Sequence, residues 1–122
     1  MKQSLRLLIV EDESLVAMDL EDILEDCGHV VLDVAANIEQ VMTGLDRHAD
    51  LDGVLLDANL GGVSSLPVAE KLDSAGIPYV ITSGYDRHQL IEDGFTGPSI
   101  AKPYRTPEIE AVLQVFSDVR ND

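Results

Sequence analysis

The chain alternates between two kinds of segment. Some are short runs apolar at nearly every position; others are longer and apolar only every third or fourth residue. The first kind suits strands buried on both faces, and the second suits helices with one buried face. LRLLIV (5–10) predicts a first strand. A helix is predicted over 14–27, where Val16, Leu20, Ile23, Leu24 and Cys27 recur at spacings of three and four and Gly28 stands where a helix ends. HVVLDVA (29–35) predicts a second strand. Asn37, with Gln40 three residues on, caps a helix running through Val41, Met42 and Leu45. DGVLLD (52–57) predicts the third strand, Leu60-Gly61-Gly62 a loop, and 65–74 a helix. After Gly76-Ile77-Pro78 come YVITS (79–83), the fourth strand, and a short helix over 86–93. PSIA (98–101) predicts a fifth strand; Thr106 then caps and Pro107 starts a last helix whose Ile109, Val112, Leu113 and Phe116 share one face.

Strands and helices alternating over short connections predict an α/β fold, a doubly wound parallel sheet covered on both faces. Crossovers in such sheets are right-handed, and ligands gather at the carboxyl ends of the strands, near the switch in strand order. That rule sorts the polar residues. Glu11, Asp12 and Glu13 follow the first strand, Asp57 ends the third, Ser83 ends the fourth and Lys102 follows the fifth. Each alone has a bland explanation. Glu13 complements the positive end of a helix, Ser83 can bond local backbone, and a lysine before proline is usually solvated. Gathered at one rim, several carboxylates and an ammonium mark a functional site.

Composition narrows the chemistry. A length of 122 residues makes one domain with a real core. The 23 acids against 8 bases give a formal charge of −15. Such a surface repels phosphate backbones and anionic lipid, arguing against nucleic acid and favouring cations or basic protein surfaces. No apolar run is long enough for a membrane span, and the N-terminus lacks the parts of a signal peptide. Cys27 has no second cysteine to pair with, which fits a cytoplasmic protein. There is no Walker A loop, dinucleotide fingerprint or zinc spacing, and His29, His48 and His88 are scattered.

Crowded carboxylates are tolerable around a hard cation. Mg²⁺ takes oxygen ligands and typically uses one or two carboxylates, so Asp12 and Asp57 are candidate ligands, with Glu11 acting through water. A carboxylate can also act as a nucleophile and form an aspartyl phosphate. The metal would then neutralise phosphoryl charge, Lys102 would pair with it as a point charge, and Ser83 would donate a hydroxyl.

With these residues in place, the sequence resembles a response-regulator receiver domain of two-component signalling over about residues 5–119. The resemblance is carried by IVEDE with Glu11 and Asp12, LLDANL with Asp57, TSG with Ser83 and KPY with Lys102, in that order. It implies a flavodoxin-like (βα)₅ fold with strand order 2-1-3-4-5. It also implies Mg²⁺-dependent transfer from a histidine kinase's phosphohistidine to Asp57, with Ser83 and Lys102 assisting and the Asn59 carbonyl as a further metal ligand beside Glu11, Asp12 and Asp57. The chain would then be no conventional enzyme, but would catalyse its own phosphorylation and dephosphorylation. VITSGYD (80–86) is similar to the Phe-Ala-Thr-Gly-Tyr subclass, often single-domain. Residues 1–122 are accordingly expected to form one receiver domain without an output domain.

The partners implied are a sensor histidine kinase or phosphotransfer protein, docking near the first helix and the Lys102 loop, and an unidentified downstream protein meeting the fourth helix, fifth strand and fifth helix. Leu15 and Met18 are expected on the kinase side. In the family an aromatic switch residue usually lies three before the lysine; here that position is Ser99, and Tyr85 is the candidate to take over its part. Three rivals are weaker. A haloacid-dehalogenase-type phosphatase would want a second acid in Asp57-Ala58-Asn59, and a flavodoxin would want a Ser/Thr-rich phosphate loop where this chain has acids. An unphosphorylated binding module would not need the acid–Asp–Ser–Lys set.

Overall fold

The computed structural model describes residues 4–84, 87–102 and 105–120. The main sheet holds β1 (Arg6–Val10), β2 (Val30–Ala35), β3 (Gly53–Asp57), β6 (Tyr79–Ser83) and β7 (Ser99–Ala101); β4 (Asn59–Leu60) and β5 (Val63–Ser64) form a separate two-stranded ribbon. The helices are α1 (Ser14–Asp26), α2 (Ile38–Arg47), α3 (Leu66–Ala75), α4 (Arg87–Glu92) and α5 (Thr106–Arg120). The sheet is parallel throughout, in the order β2-β1-β3-β6-β7. With the ribbon set aside, that is the expected order 2-1-3-4-5 of a flavodoxin-like fold.

The alternation of side chains along each strand explains the apolar runs. Leu7 and Ile9 of β1 and Leu55 of β3 pack on one face with Leu20 and Leu24 of α1 and Ile109, Leu113 and Phe116 of α5. Leu8 and Val10 of β1 and Val54 and Leu56 of β3 pack on the other with Val41 of α2, Val68 and Leu72 of α3 and Leu90 of α4. A strand with helices on both faces has no use for polar positions until its end. Among the described residues, no helix is long and apolar enough to cross a membrane.

The Asn37 cap forms as expected. Its side chain accepts from Gln40 N at 2.9 Å, while Gln40 Oε1 accepts from Ala36 N at 2.7 Å. Three details differ from the sequence reading. The expected loop at 60–62 is the turn of a hairpin in which Asn59 faces Ser64 and Leu60 faces Val63. Gly61 and Gly62, at φ +60° and +91°, supply the two left-handed positions that such a tight turn needs. The strands it joins are two residues long, too short for any periodicity to register. In α1 the small Ala17 belongs to the buried stripe, whereas Val16 and Ile23 are half-buried. Helix α5 includes Thr106, because Ile109 N donates to Arg105 O at 3.0 Å and so moves the cap back one residue.

Candidate functional site

The strand ends bring the polar residues together. Asp57 ends the central strand β3 and is buried, with both carboxylate oxygens engaged. Oδ1 accepts from Asn59 N at 3.1 Å, and Oδ2 accepts from Lys102 Nζ at 2.9 Å. Lys102 follows β7, and its backbone N–H donates to Ser83 O at 2.9 Å, which ties the loop to the end of β6. Its ammonium also lies 2.7 Å from Glu11 Oε1. Glu11 extends the β1–β2 ladder, its N–H donating to Ala35 O at 2.9 Å, and its Oε2 accepts from Glu13 N at 3.2 Å.

Glu11 is 2% exposed, and Oε1 is fully enclosed with no aligned hydrogen bond. Charge attraction to the Lys102 ammonium is what holds it. Burial pushes the Glu11 carboxyl above its ordinary range and contact with Asp57 adds to the rise; the Lys102 ammonium and the Glu13 N–H pull the other way.

Glu11, Asp12 and Asp57 each offer a carboxylate oxygen within 4.8 Å of the others, and Asp12 is the exposed member. Three carboxylates against one ammonium leave a formal −2 (−3 + 1). Asp12 and Asp57 line a cleft of about 370 Å³, together with Asn59, Ser83, Gly84 and Lys102. Hard oxygen donors beside space for water suit a hard divalent cation.

Of the residues singled out for chemistry, Asp12, Asp57, Asn59, Ser83 and Lys102 line this cleft, and Glu11 joins them through the Lys102 ammonium. Glu13 is exposed at the N-cap of α1 and makes no side-chain cap bond. Asn59 has a further task, since its Oδ1 accepts from Gly62 N at 2.7 Å and braces the hairpin turn. Ser99 is half-buried, 3.4 Å from Arg87 Nη1. Leu15 and Met18 are 80% and 58% exposed on α1. Tyr85 lies outside the described residues. One residue at the site escaped the sequence reading. Ser65, fully buried, donates its hydroxyl to Asp57 O at 2.6 Å. A serine ahead of a helix reads as a cap, and only the doubling in Ser64-Ser65 hints that one of the two does something else.

A doubly wound sheet with acids and a lysine at its carboxyl rim defines a class of α/β proteins that handle phosphoryl groups or metals at the strand ends. A family model for the response regulator receiver domain matches residues 7–114, and the chain belongs to that family, the receiver domains of two-component response regulators. It is 32% identical over 113 residues to the phyllosphere-induced regulator PhyR of Methylorubrum extorquens, covering 88% of this chain and 41% of that one. The chain spans between 41% and 59% of the length of the curated relatives it matches. The solution structure of SdrG from Sphingomonas melonis Fr1 superposes with a TM-score of 0.77 at 30% identity, covering 96% of this chain and 99% of that one. The receiver domain of sensor histidine kinase PA1611 from Pseudomonas aeruginosa, with a magnesium ion coordinated in its active site cleft, shares the fold at a TM-score of 0.80 and 17% identity, covering 94% and 99%.

Proposed function

We propose that this chain takes a phosphoryl group from a phosphohistidine onto Asp57 and signals through altered contact with another protein. The observation that carries the proposal is the Lys102 ammonium lodged between two buried carboxylates, 2.7 Å from Glu11 and 2.9 Å from Asp57, with Asp12 facing the same space. In the transfer, an Asp57 carboxylate oxygen bonds to phosphorus. The phosphorus–nitrogen bond of the donor breaks, and its electron pair stays on the imidazole nitrogen. Bound Mg²⁺ supplies neutralisation of phosphoryl charge. Asp12, Asp57 and the Asn59 carbonyl would hold it, with Glu11 acting through water. Lys102, already at hydrogen-bond distance from Asp57, pairs with the phosphoryl oxygens, and Ser83 at the end of β6 donates its hydroxyl. The magnesium described for the PA1611 receiver and the suitability of the donor set here support that assignment.

The kinase or phosphotransfer protein docks beside α1 and the loop after β7, where Leu15 and Met18 stand clear of the core. The downstream partner meets α4, β7 and α5, where a groove of about 450 Å³ runs past Ser99, Ile100, Val112 and Val115. In this reading residues 1–122 act in the cytoplasm as a single receiver domain; the match to SdrG, 99% of which is covered, supports the domain assignment.

The test is intact mass spectrometry after incubation with acetyl phosphate, with and without Mg²⁺, on wild type and Asp57→Asn. One added phosphoryl group that requires both Mg²⁺ and Asp57 is expected. Wild-type labelling of Asp57→Asn would reject the site.

A further inference from the structure

We propose that Ser65 is a positioning residue for phosphoryl transfer: its hydroxyl clamps the Asp57–Asn59 segment in the geometry that the metal and the phosphoryl group require. The inference rests on the phosphoacceptor reading above. Ser65 is the N-cap of α3, where a serine hydroxyl ordinarily accepts from an N–H of the first helical turn. Here it makes no cap bond and donates instead to Asp57 O at 2.6 Å, while its backbone N–H donates to Ala58 O at 3.0 Å. Helical support passes to its neighbour, since Ser64 Oγ accepts from Leu66 N at 3.2 Å. A hydroxyl that gives up its usual local role for a bond to the phosphoacceptor's own peptide breaks a local rule at the point where function is placed.

The two bonds close the chain on itself at the base of the β4–β5 ribbon. Within that closure Asn59 N donates to Asp57 Oδ1 and Asn59 Oδ1 accepts from Gly62 N. The Asp57 carboxylate and the Asn59 carbonyl are two residues apart, so the intervening backbone torsions and the Asp57 side-chain torsions fix their separation. Ser65 holds the first of those peptides by its oxygen. It is 0% exposed, so bulk water does not replace the bond when the hydroxyl is removed. Freed of it, the Asp57–Ala58 peptide keeps only the bond from Ala58 N to Thr82 O at 3.0 Å, and it can tilt about that bond and carry the carboxylate away from its aim at the cation. Partners one shell out from a metal typically govern its affinity at about ten-fold or more.

The test compares wild type, Ser65→Ala and Ser64→Ala as the full chain. Mg²⁺ affinity is read by calorimetry and amide hydrogen exchange at Asn59 and Gly62. Ser65→Ala is expected to bind Mg²⁺ about ten-fold more weakly and to exchange faster at Asn59. Ser64→Ala is expected to melt earlier with its Mg²⁺ affinity intact. Wild-type affinity in Ser65→Ala, or an equal loss in Ser64→Ala, overturns the clamp and leaves the phosphoacceptor reading standing. If the alanine variant does not fold, Ser65→Thr and Ser65→Val, alike in shape and differing in the hydroxyl, decide the matter. Binding kept by threonine and lost by valine is expected, and equal binding overturns the proposal. A wild-type chain that neither binds Mg²⁺ nor accepts phosphoryl from acetyl phosphate sinks the phosphoacceptor reading and the clamp together.

Discussion

Glu11 and Asp12 are chain neighbours in opposite settings. Glu11 is enclosed and paired with Lys102, whereas Asp12 is exposed and adds a third negative charge to the cluster. Without a cation that third charge opposes folding, since like charges at this separation repel even when partly solvated. Asp12→Asn is therefore expected to raise the melting temperature in EDTA by about 3 °C and to lose most of the added stability that excess MgCl₂ gives wild type. Melting curves under the two conditions read both effects, and a lower melting temperature in EDTA would contradict the argument. Tyr79 offers a test away from the site. Burial, then its hydrogen bond to Asp73 Oδ2 at 3.0 Å, pushes its phenol from 10.0 up to about 12. The folded chain thus keeps this proton where the unfolded chain releases it. The contribution to stability is whole below pH 10 and is lost as pH rises through about 12. Tyr79→Phe should cost about 1 kcal/mol near neutrality, and its denaturation midpoint should fall less than that of wild type across the alkaline window. Parallel alkaline slopes for the two chains would remove Tyr79 from the account.

At the scale of elements, long apolar runs and capped helices could be read from sequence because each states its own period. The fourth strand was placed residue for residue at 79–83, and Asn37 capped α2 as expected. What escaped depends on contacts that no period records. The β4–β5 hairpin is one such case, and Ala17, too small to stand out in an apolar stripe, is another. Gly53 is a third. It begins β3, and a Cβ there would sit 2.7 Å from the ring of the fully buried Phe116 on α5. In sequence it is one position of the third strand, 52–57, with nothing to set it apart; in the fold it is the notch that admits a ring. Gly53→Ala should therefore destabilise the chain by about 1–3 kcal/mol through overpacking, measurable by urea denaturation. A neutral result would mean that α5 shifts freely over the sheet. The site was legible for the converse reason: the rule placing ligands at strand ends selected Glu11, Asp12, Asp57, Ser83 and Lys102 without any contact being known. Ser65 fell outside the rule because it stands ahead of a helix.

Across the whole molecule, charge dominates. A net −15 makes the folded state repel itself. Helix α1 alone carries Asp19, Glu21, Asp22, Glu25 and Asp26 with no basic residue, so its last turn gains nothing from the helix dipole. Added NaCl should screen this repulsion and raise the melting temperature, with most of the gain complete once the screening length falls to a few ångströms. A melting temperature that falls with salt would show that the few ion pairs, such as Arg6 with Asp50 and Asp52, outweigh the excess of acids.

The packing of Phe116 against Gly53 also sets an order on events during synthesis. Strand β3 is the middle of the five-stranded sheet, yet the ring that fills its notch belongs to the last helix in the chain. A nascent polypeptide that has emerged as far as β7 can pair all five strands, but one face of the sheet still lacks its central side chain. The acidic rim is then assembled over an incomplete core, and a ribosome stalled before α5 would present a sheet with one apolar face covered by α1 alone. Chaperone contact, or degradation, of this chain should therefore concentrate in the interval between the synthesis of Lys102 and that of Phe116.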